Sequence, residues 1–577
     1  MDLLIVVVLG VLAVVGVNAL APRIGIASPL LLVLLGVIVS YLRITGTVDV
    51  PSEVILGGVL PPLLYSAAVS MPTMEFRRDF RIISGLSVVL VFVSAIVVGL
   101  LVNRLIPGIG LPLAIALGAI ISPTDAVATA IVRKAGVSSR IVTVLEGESL
   151  LNDASALVLL RSAVAAVGVT IVWRHVLVDF LYAVLVAVAI GFVVGRLNLR
   201  VRARLRQATS SVAVSLVVPF VAFLPAEHLG ASGLVAAVTA GLVTGHGAPK
   251  YLRPEDRITE RAVWRTLELL LESFIFLIMG LEMHTVIDEV TAEHGSVSGA
   301  VLVAAVAGVA IIAVRAAFIT LSLWALARRE RAAARSRIRM ETIQDRISMI
   351  ESAPPRGPSD TSPEHAERRQ RRVEQIGVRV TRGLADLDYL AAQRLGWREG
   401  AILVWAGMRG AVTLAAAQSL DSDVPQRALL VLIAFVVAAG TLIIQGGTLG
   451  WLARRLGFAH HGNGDPDTPA ALRADLVQAA SARLDDPELR RPDGQSYTAE
   501  TLQTARTILD GLGRDGPLAE TPDQRSERRA LRIELLNAQR DELLRIRDLG
   551  TYPFGVLERA LNQIDADQVG LELREKD

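Results

Sequence analysis

The residues best placed to do chemistry fall on two apolar stretches of the chain. In "EGESLLNDASALVLL", residues 146 to 160, Glu148, Ser149, Asn152 and Asp153 stand at i, i+1, i+4 and i+5. On a helix this puts Ser149 one turn below Asp153 and Glu148 one turn below Asn152, a single polar stripe on an otherwise apolar rod. Two carboxylates, a hydroxyl and an amide offer hard oxygen atoms, the ligand type that suits small hard cations. Desolvation favours the neutral form of a carboxyl group, so a proton can compete with a cation for Asp153. That competition is the physical core of an exchanger. A stripe that merely joins helices is the plainer reading, but hydroxyl pairs would serve that purpose at lower cost.

The second stretch, "AIISPTDAVATAIV" at 119 to 132, is apolar yet punctuated like a helix start. Ser122 reads as an N-cap, Pro123 as the first helical residue and Asp125 as an acidic residue in the first turn. Proline also disfavours helical geometry at Ser122. The span is therefore expected to be two half-helices with an unwound segment between them, which a membrane tolerates only beside protein or a water-filled cavity. Half-helix ends with freed carbonyls suit ion binding in secondary transporters. The plainer reading is a proline kink, against which stands the cost of an ionisable Asp125 at that depth. A third residue, Arg409 in "AILVWAGMRGAVTLAAAQ" (401 to 418), lies mid-span between Gly407 and Gly410, which mark a further break. Unpaired, it would cost at least ~3 kcal/mol, so it is expected to face the interior and pair with Glu148.

These side chains need a membrane scaffold, and the composition supplies one. Hydrophobic residues make up 52% of the 577 and aromatics 5%, with mean hydropathy +0.50, a membrane profile. Thirteen apolar windows are expected near 3–20, 28–43, 53–70, 82–105, 111–132, 141–167, 176–197, 209–225, 230–246, 264–283, 298–327, 400–420 and 428–453. The first has no basic flank or cleavage signal and reads as a retained helix. With no cysteine, thiolate metal sites and disulfides are out of play. Alternate loops concentrate Arg and Lys (Arg77, Arg78, Arg81; Arg133, Lys134, Arg140; Arg196 to Arg206; Lys250 to Arg261), which predicts an outside N-terminus and a cytoplasmic C-terminus. The organisation expected is a membrane domain at 1–327 and 397–456, an Arg-rich cytoplasmic insertion at 328–396 that is helical at its ends and mobile at its centre, and a cytoplasmic tail at 457–577. In the tail, Leu531, Ile533, Leu535, Leu536 and Leu543 have helical spacing and Gly550 supplies a stop.

Read together, "LPPLLYSAA" (60 to 68), "ISPTDAVA", "GESLLNDA", "LIMGLEM" (277 to 283), "GMRGAVTLA" and "IIQGGTLGWLARRL" (443 to 456) resemble, in order, the monovalent cation/proton antiporter-1 family, which includes the NhaP-type sodium/proton antiporters. The resemblance covers about residues 1 to 456 and, more weakly, 525 to 575. It implies an all-α membrane protein with an inverted-repeat, NhaA/NhaP-like fold, two broken crossing helices, a core and a dimerisation domain, and elevator-like alternating access. It further implies a homodimer in the bacterial cell membrane exchanging Na⁺, or alternatively K⁺, for protons in pH homeostasis, with no cofactor, no catalytic residue and no nucleic acid. Asp153 would carry cation and proton; Ser149, Asp125 and the carbonyl of Thr124 would help coordinate the cation. Asn152 stands where electrogenic relatives have a second Asp, which implies one-for-one electroneutral exchange. Glu148 and Arg409 match a structural ion pair, and Arg315 has family-like placement without an evident partner. Several members are acidic at the position of Ser66, a departure that bears on ion choice. Of the other classes, an intramembrane aspartic protease would need Tyr-Asp and Gly-x-Gly-Asp signatures within apolar spans; Tyr-Asp is absent and the Gly-x-Gly-Asp match at residues 462 to 465 falls in the polar tail, and a channel would need a filter-like loop.

Overall fold

The computed structural model describes residues 2–24, 27–42, 51, 53–167, 173–294, 297–351, 363–420, 423–458, 467–509 and 521–573. The described residues form helices joined by turns and short unwound segments, with no strand. In chain order, α1 (Asp2–Ile24), α2 (Ser28–Tyr41), α3 (Leu60–Ser70), α4 (Thr73–Ser84), α5 (Leu90–Leu105), α6 (Leu111–Ile120), α7 (Ala126–Lys134) and α8 (Ser139–Ala165) come first. They are followed by α9 (Trp173–Arg202), α10 (Ala208–His228), α11 (Gly233–Tyr251), α12 (Pro254–His294), α13 (Ser298–Glu351) and α14 (Pro363–Ala392). Next come α15 (Trp397–Trp405), α16 (Ala411–Gln418), α17 (Arg427–Thr441) and α18 (Gly447–Arg455), then α19 (Asp467–Leu484), α20 (Ala499–Leu509), α21 (Pro522–Leu549) and α22 (Phe554–Leu573). Single π-helical turns at Val54–Val59, Gly85–Val89 and Leu442–Gly446 lead into α3, α5 and α18.

Among the described residues, six helical segments are long and apolar enough to cross a membrane: Thr73–Leu105, Phe180–Arg202, Ala208–His228, Pro254–Ala292, Ser298–Arg328 and Arg427–Arg455. Shorter apolar helices lie at Val8–Ala21, Ser28–Tyr41, Val54–Ser70 and Leu111–Ile120. The thirteen expected spans are thus not recovered as thirteen such helices. Two of them are broken, into halves of 10 and 9 residues at α6 and α7 and of 9 and 8 residues at α15 and α16, each too short to cross alone.

Small residues let the helices close on one another. A Cβ on Gly280 of α12 would lie 2.3 Å from the Val33 carbonyl of α2, and one on Gly36 would lie 2.5 Å from that of Leu277. Only glycine permits this backbone-to-backbone contact, and in lipid it is packing of this kind, rather than water exclusion, that joins helices.

The chain divides into two compact units, Met1–Ala325 with Leu395–Gly462, and Leu326–Arg394 with Asn463–Asp577. The insertion and the tail, read from sequence as separate blocks, thus belong to one unit. Within it, Arg382 Nε donates to the Asp548 carbonyl at 2.8 Å, and Ala480, Leu484, Tyr497, Leu531 and Leu535 form an apolar core. The helix expected before Gly550 is α21, opened by a Thr521–Gln524 capping box and closed by Gly550 at φ 76°, a left-handed stop. The centre of the insertion, residues 352–362, lies outside the described residues.

Candidate functional site

The first broken helix opens where the sequence said it would, with its cap shifted. After α6, Ser122, Pro123 and Thr124 lie outside any helix, and α7 begins at Ala126 with Asp125 as its N-cap (φ −95°, ψ 141°), the side chain accepting from Val127 N–H at 3.4 Å. Ser122 is therefore not the cap. Pro123 disfavours helical geometry at Ser122, and the Asp125 N–H is already committed: it donates to the Met408 carbonyl at 2.9 Å. Met408 belongs to the second break, Ala406 to Gly410, between α15 and α16. The two unwound segments meet through this main-chain bond. A Cβ at Gly410, the N-cap of α16, would fall 2.1 Å from the Asp125 carboxyl. Its absence lets Asp125 reach the N-terminus of α16 as well as that of α7, two ends whose dipoles favour an anion.

Helix α8 passes against this crossing and presents the polar stripe to it. Ser149 Oγ donates to the Thr124 carbonyl at 2.9 Å, and Asn152 Nδ2 to the Ser122 carbonyl at 3.4 Å. Both are carbonyls that the break has released from helical bonding. Ser94 and Ser122 hydroxyls bond each other at 2.9 Å. Asp153, 4% exposed, stands in the field of Asp125 and Glu148. Its Oδ1 and the Asn152 Oδ1 are buried without a hydrogen-bond partner among the described residues. Such atoms are costly unless something fills their valence.

The arginines are arranged differently from the expectation. Glu148, fully buried, forms a two-pronged ion pair with Arg315 of α13, with Arg315 Nη2 to Glu148 Oε2 at 2.8 Å and a shorter contact between Nη1 and Oε1. Arg315 Nε also donates to the Leu403 carbonyl in the last turn of α15 at 2.8 Å. The Glu148–Arg409 pair is thus not formed. Arg409 instead donates its Nε to the Ile121 carbonyl at 2.8 Å and its Nη1 to the Gly407 carbonyl, while its N–H donates to Thr441 Oγ1 at 3.1 Å. The physical reason is local: a cation at a helix C-terminus complements released carbonyls, and Arg409 finds two of them at the breaks. Arg315 fits beside Gly407, where a Cβ would lie 2.6 Å from its Nε.

Of the residues picked out from sequence, Thr124, Asp125, Ser149, Asn152 and Asp153 are brought together at one crossing. Glu148 and Arg409 reach it too, without pairing. Sequence reasoning placed Arg315 but not its partner, and missed Glu272 of α12, which interacts with Asp125 and Glu268, and Gln445, buried in a π-helical turn with both amide atoms unpartnered. The available signal was a carboxylate in the apolar run "LELLLESFIFLIMG".

Comparison with known proteins follows the same line. A family model described as sodium/hydrogen exchanger, transmembrane, matches residues 9–357 and 376–455. A Mycobacterium tuberculosis protein described as an uncharacterized Na⁺/H⁺ exchanger is 28% identical over 98% of this chain and 96% of its own length. The Na⁺/H⁺ antiporter ApNhaP of Aphanothece halophytica is 24% identical over 74% of this chain and 69% of its own. The sodium/proton antiporter MjNhaP1 of Methanocaldococcus jannaschii shares the fold with a TM-score of 0.54 and 17% identity, over 79% of this chain and all of that one.

Proposed function

The chain belongs to the sodium/hydrogen exchanger family, and on that premise we propose that it exchanges Na⁺ for H⁺ at Asp153, one for one, across the bacterial plasma membrane. The observation that carries this reading is the Asp153 Oδ1 atom, buried and unpartnered beside the unwound crossing. A bare carboxylate there, in the field of Asp125 and Glu148, is unfavourable, and either a proton or an alkali cation relieves the same charge. The two therefore exclude each other. The cation would take oxygen from Asp153, Asp125, Ser149 and the Thr124 carbonyl. Asn152 adds no second titrating group beside Asp153, which supports electroneutral exchange.

Glu148 is neutralised by Arg315 and is not free to carry an ion. Arg409, on the carbonyls of Ile121 and Gly407, holds the crossing open in its unwound form. Alternating access would move the crossing and α8 between the two sides of the membrane, with the protein as a homodimer, its N-terminus outside and its C-terminal unit in the cytoplasm, as the Arg and Lys distribution of the loops supports. Na⁺ is the cation named for the Mycobacterium tuberculosis and Aphanothece halophytica relatives; a Bacillus subtilis relative, 31% identical over 49% of this chain and 44% of its own length, is described as a sodium, potassium, lithium and rubidium/H⁺ antiporter, which keeps K⁺ as the second reading. Proteoliposomes with an imposed proton gradient, given Na⁺, Li⁺ and K⁺ in parallel, test both. Wild type is expected to dissipate the gradient with Na⁺ and Asp153→Asn to be silent; equal exchange by the two would remove Asp153 from the mechanism.

A further inference from the structure

Beyond the crossing, α12 carries two carboxylates that this mechanism does not use. Glu268 and Glu272 are four residues apart on one helix face, about 6 Å along the axis, within the membrane-crossing segment Pro254–Ala292. The end of α12 before them is charged, with Glu255, Asp256, Arg257, Glu260 and Arg261, so the two acids lead from a polar end into the apolar length.

Both are partly buried, and their surroundings differ from those of the fully buried acids. Asp79 is held by Arg140, Glu260 by Arg202 and Glu148 by Arg315. Glu272, by contrast, has no hydrogen-bond or ion-pair partner among the described residues and lies within electrostatic reach of Asp125 and Glu268. Glu268 accepts a hydrogen bond from Ser66 Oγ of α3 at 3.4 Å and has Arg265 nearby. Helix α12 packs against both α3 and α16, and Asp125 sits beside Gly410, the N-cap of α16. The series ends at the unpartnered, 4% exposed Asp153 oxygen. A carboxylate in a membrane helix is expensive and rarely retained without a task, and a row of them with an unfilled oxygen at its inner end has the form of a cation path.

We propose that Glu272 and Glu268, with the Ser66 hydroxyl, form an outer station that strips and hands on a monovalent alkali cation to Asp125 and Asp153. This rests on the exchange reading above and adds the residues that set cation affinity. The carboxylates concentrate the cation by their charge and replace part of its water shell with oxygen, while the release of the proton stays at Asp153.

The test is Na⁺ titration of proton-gradient dissipation in proteoliposomes for wild type, Glu272→Gln, Glu268→Gln and Glu272→Asp. Glu272→Gln is expected to raise the half-saturating Na⁺ concentration at least about fivefold with the maximal rate within about twofold, and Glu272→Asp, which keeps the charge, to stay nearer wild type. A purely structural Glu272 would lower the yield and maximal rate without moving half-saturation, and that result overturns the proposal. Should Glu272→Gln fail to fold, Glu268→Gln decides: an unchanged half-saturating concentration overturns it as well. A wild type that shows no cation-dependent exchange would instead refute the exchange reading itself.

Discussion

Replacing Glu148 by Gln strands the Arg315 guanidinium in the protein interior. Both side chains are essentially sealed from the surface, at 0% and 2% exposure, so no water moves in to take the place of the lost carboxylate. Removing one partner of a buried pair costs about 3–5 kcal/mol. Arg315 keeps its bond to the Leu403 carbonyl, which places the expected loss toward the lower end of that range. The double replacement Glu148→Leu with Arg315→Met leaves no stranded charge and is expected to be closer to wild type than either single change. A double-mutant cycle, read by denaturant unfolding in mixed micelles, measures the coupling directly. The structure predicts a coupling of at least about 2 kcal/mol for Glu148 with Arg315 and less than about 1 kcal/mol for Glu148 with Arg409. The reverse order would show that the sequence-based pairing was right and that this assignment of partners is wrong.

Other substitutions probe the crossing and the second unit. Gly410→Ala puts a methyl group 2.1 Å from the Asp125 carboxyl; it is expected to abolish exchange in protein that still reaches the membrane, and wild-type exchange would show that the two breaks do not meet as described. Asp125→Asn keeps the cap of α7 and should cost little stability while removing Na⁺-dependent exchange, whereas Asp125→Ala should lose about 1 kcal/mol in addition, measurable by thermal unfolding in detergent. Ser149→Ala frees the Thr124 carbonyl and is expected to raise half-saturating Na⁺ a few-fold, with maximal rate as the control. In the C-terminal unit, Tyr552 donates to Asp475 Oδ2 at 2.7 Å, and burial together with that carboxylate pushes the phenol up to about 12 from 10.0. Because the raised group favours folding while it is protonated, its contribution is complete below pH 10 and lost between pH 10 and about 12. The melting difference between wild type and Tyr552→Phe should shrink across that interval; a difference independent of pH would refute the assignment.

The first break was legible because its chemistry is local: Ser122-Pro123-Thr124-Asp125 carries its own steric and capping signals. The cap itself was misplaced by three residues, since what fixes it is a hydrogen bond from Asp125 N–H to a carbonyl in a distant segment, and no spacing rule reports that. The stripe on α8 was legible from helical period alone. The partner of Glu148 was not: two arginines lay in apolar spans, and choosing between them requires knowing which reaches the released carbonyls. Glu272 was passed over for a related reason, as its apolar neighbours on α12 mask one acid in a window average. That the insertion and tail share a unit depends on contacts between segments far apart in sequence, as at Arg382 and Asp548.

The bond between the Asp125 amide and the Met408 carbonyl is made by main chain on both sides. Substitutions around it leave both bonding groups in place so long as position 410 stays bare of a side chain, proline at 125 being the one replacement that deletes the donor. Two stretches far apart along the polypeptide are thereby fastened as a single mechanical part. Ion preference can then be retuned through neighbouring side chains while the hub on which they are mounted stays fixed.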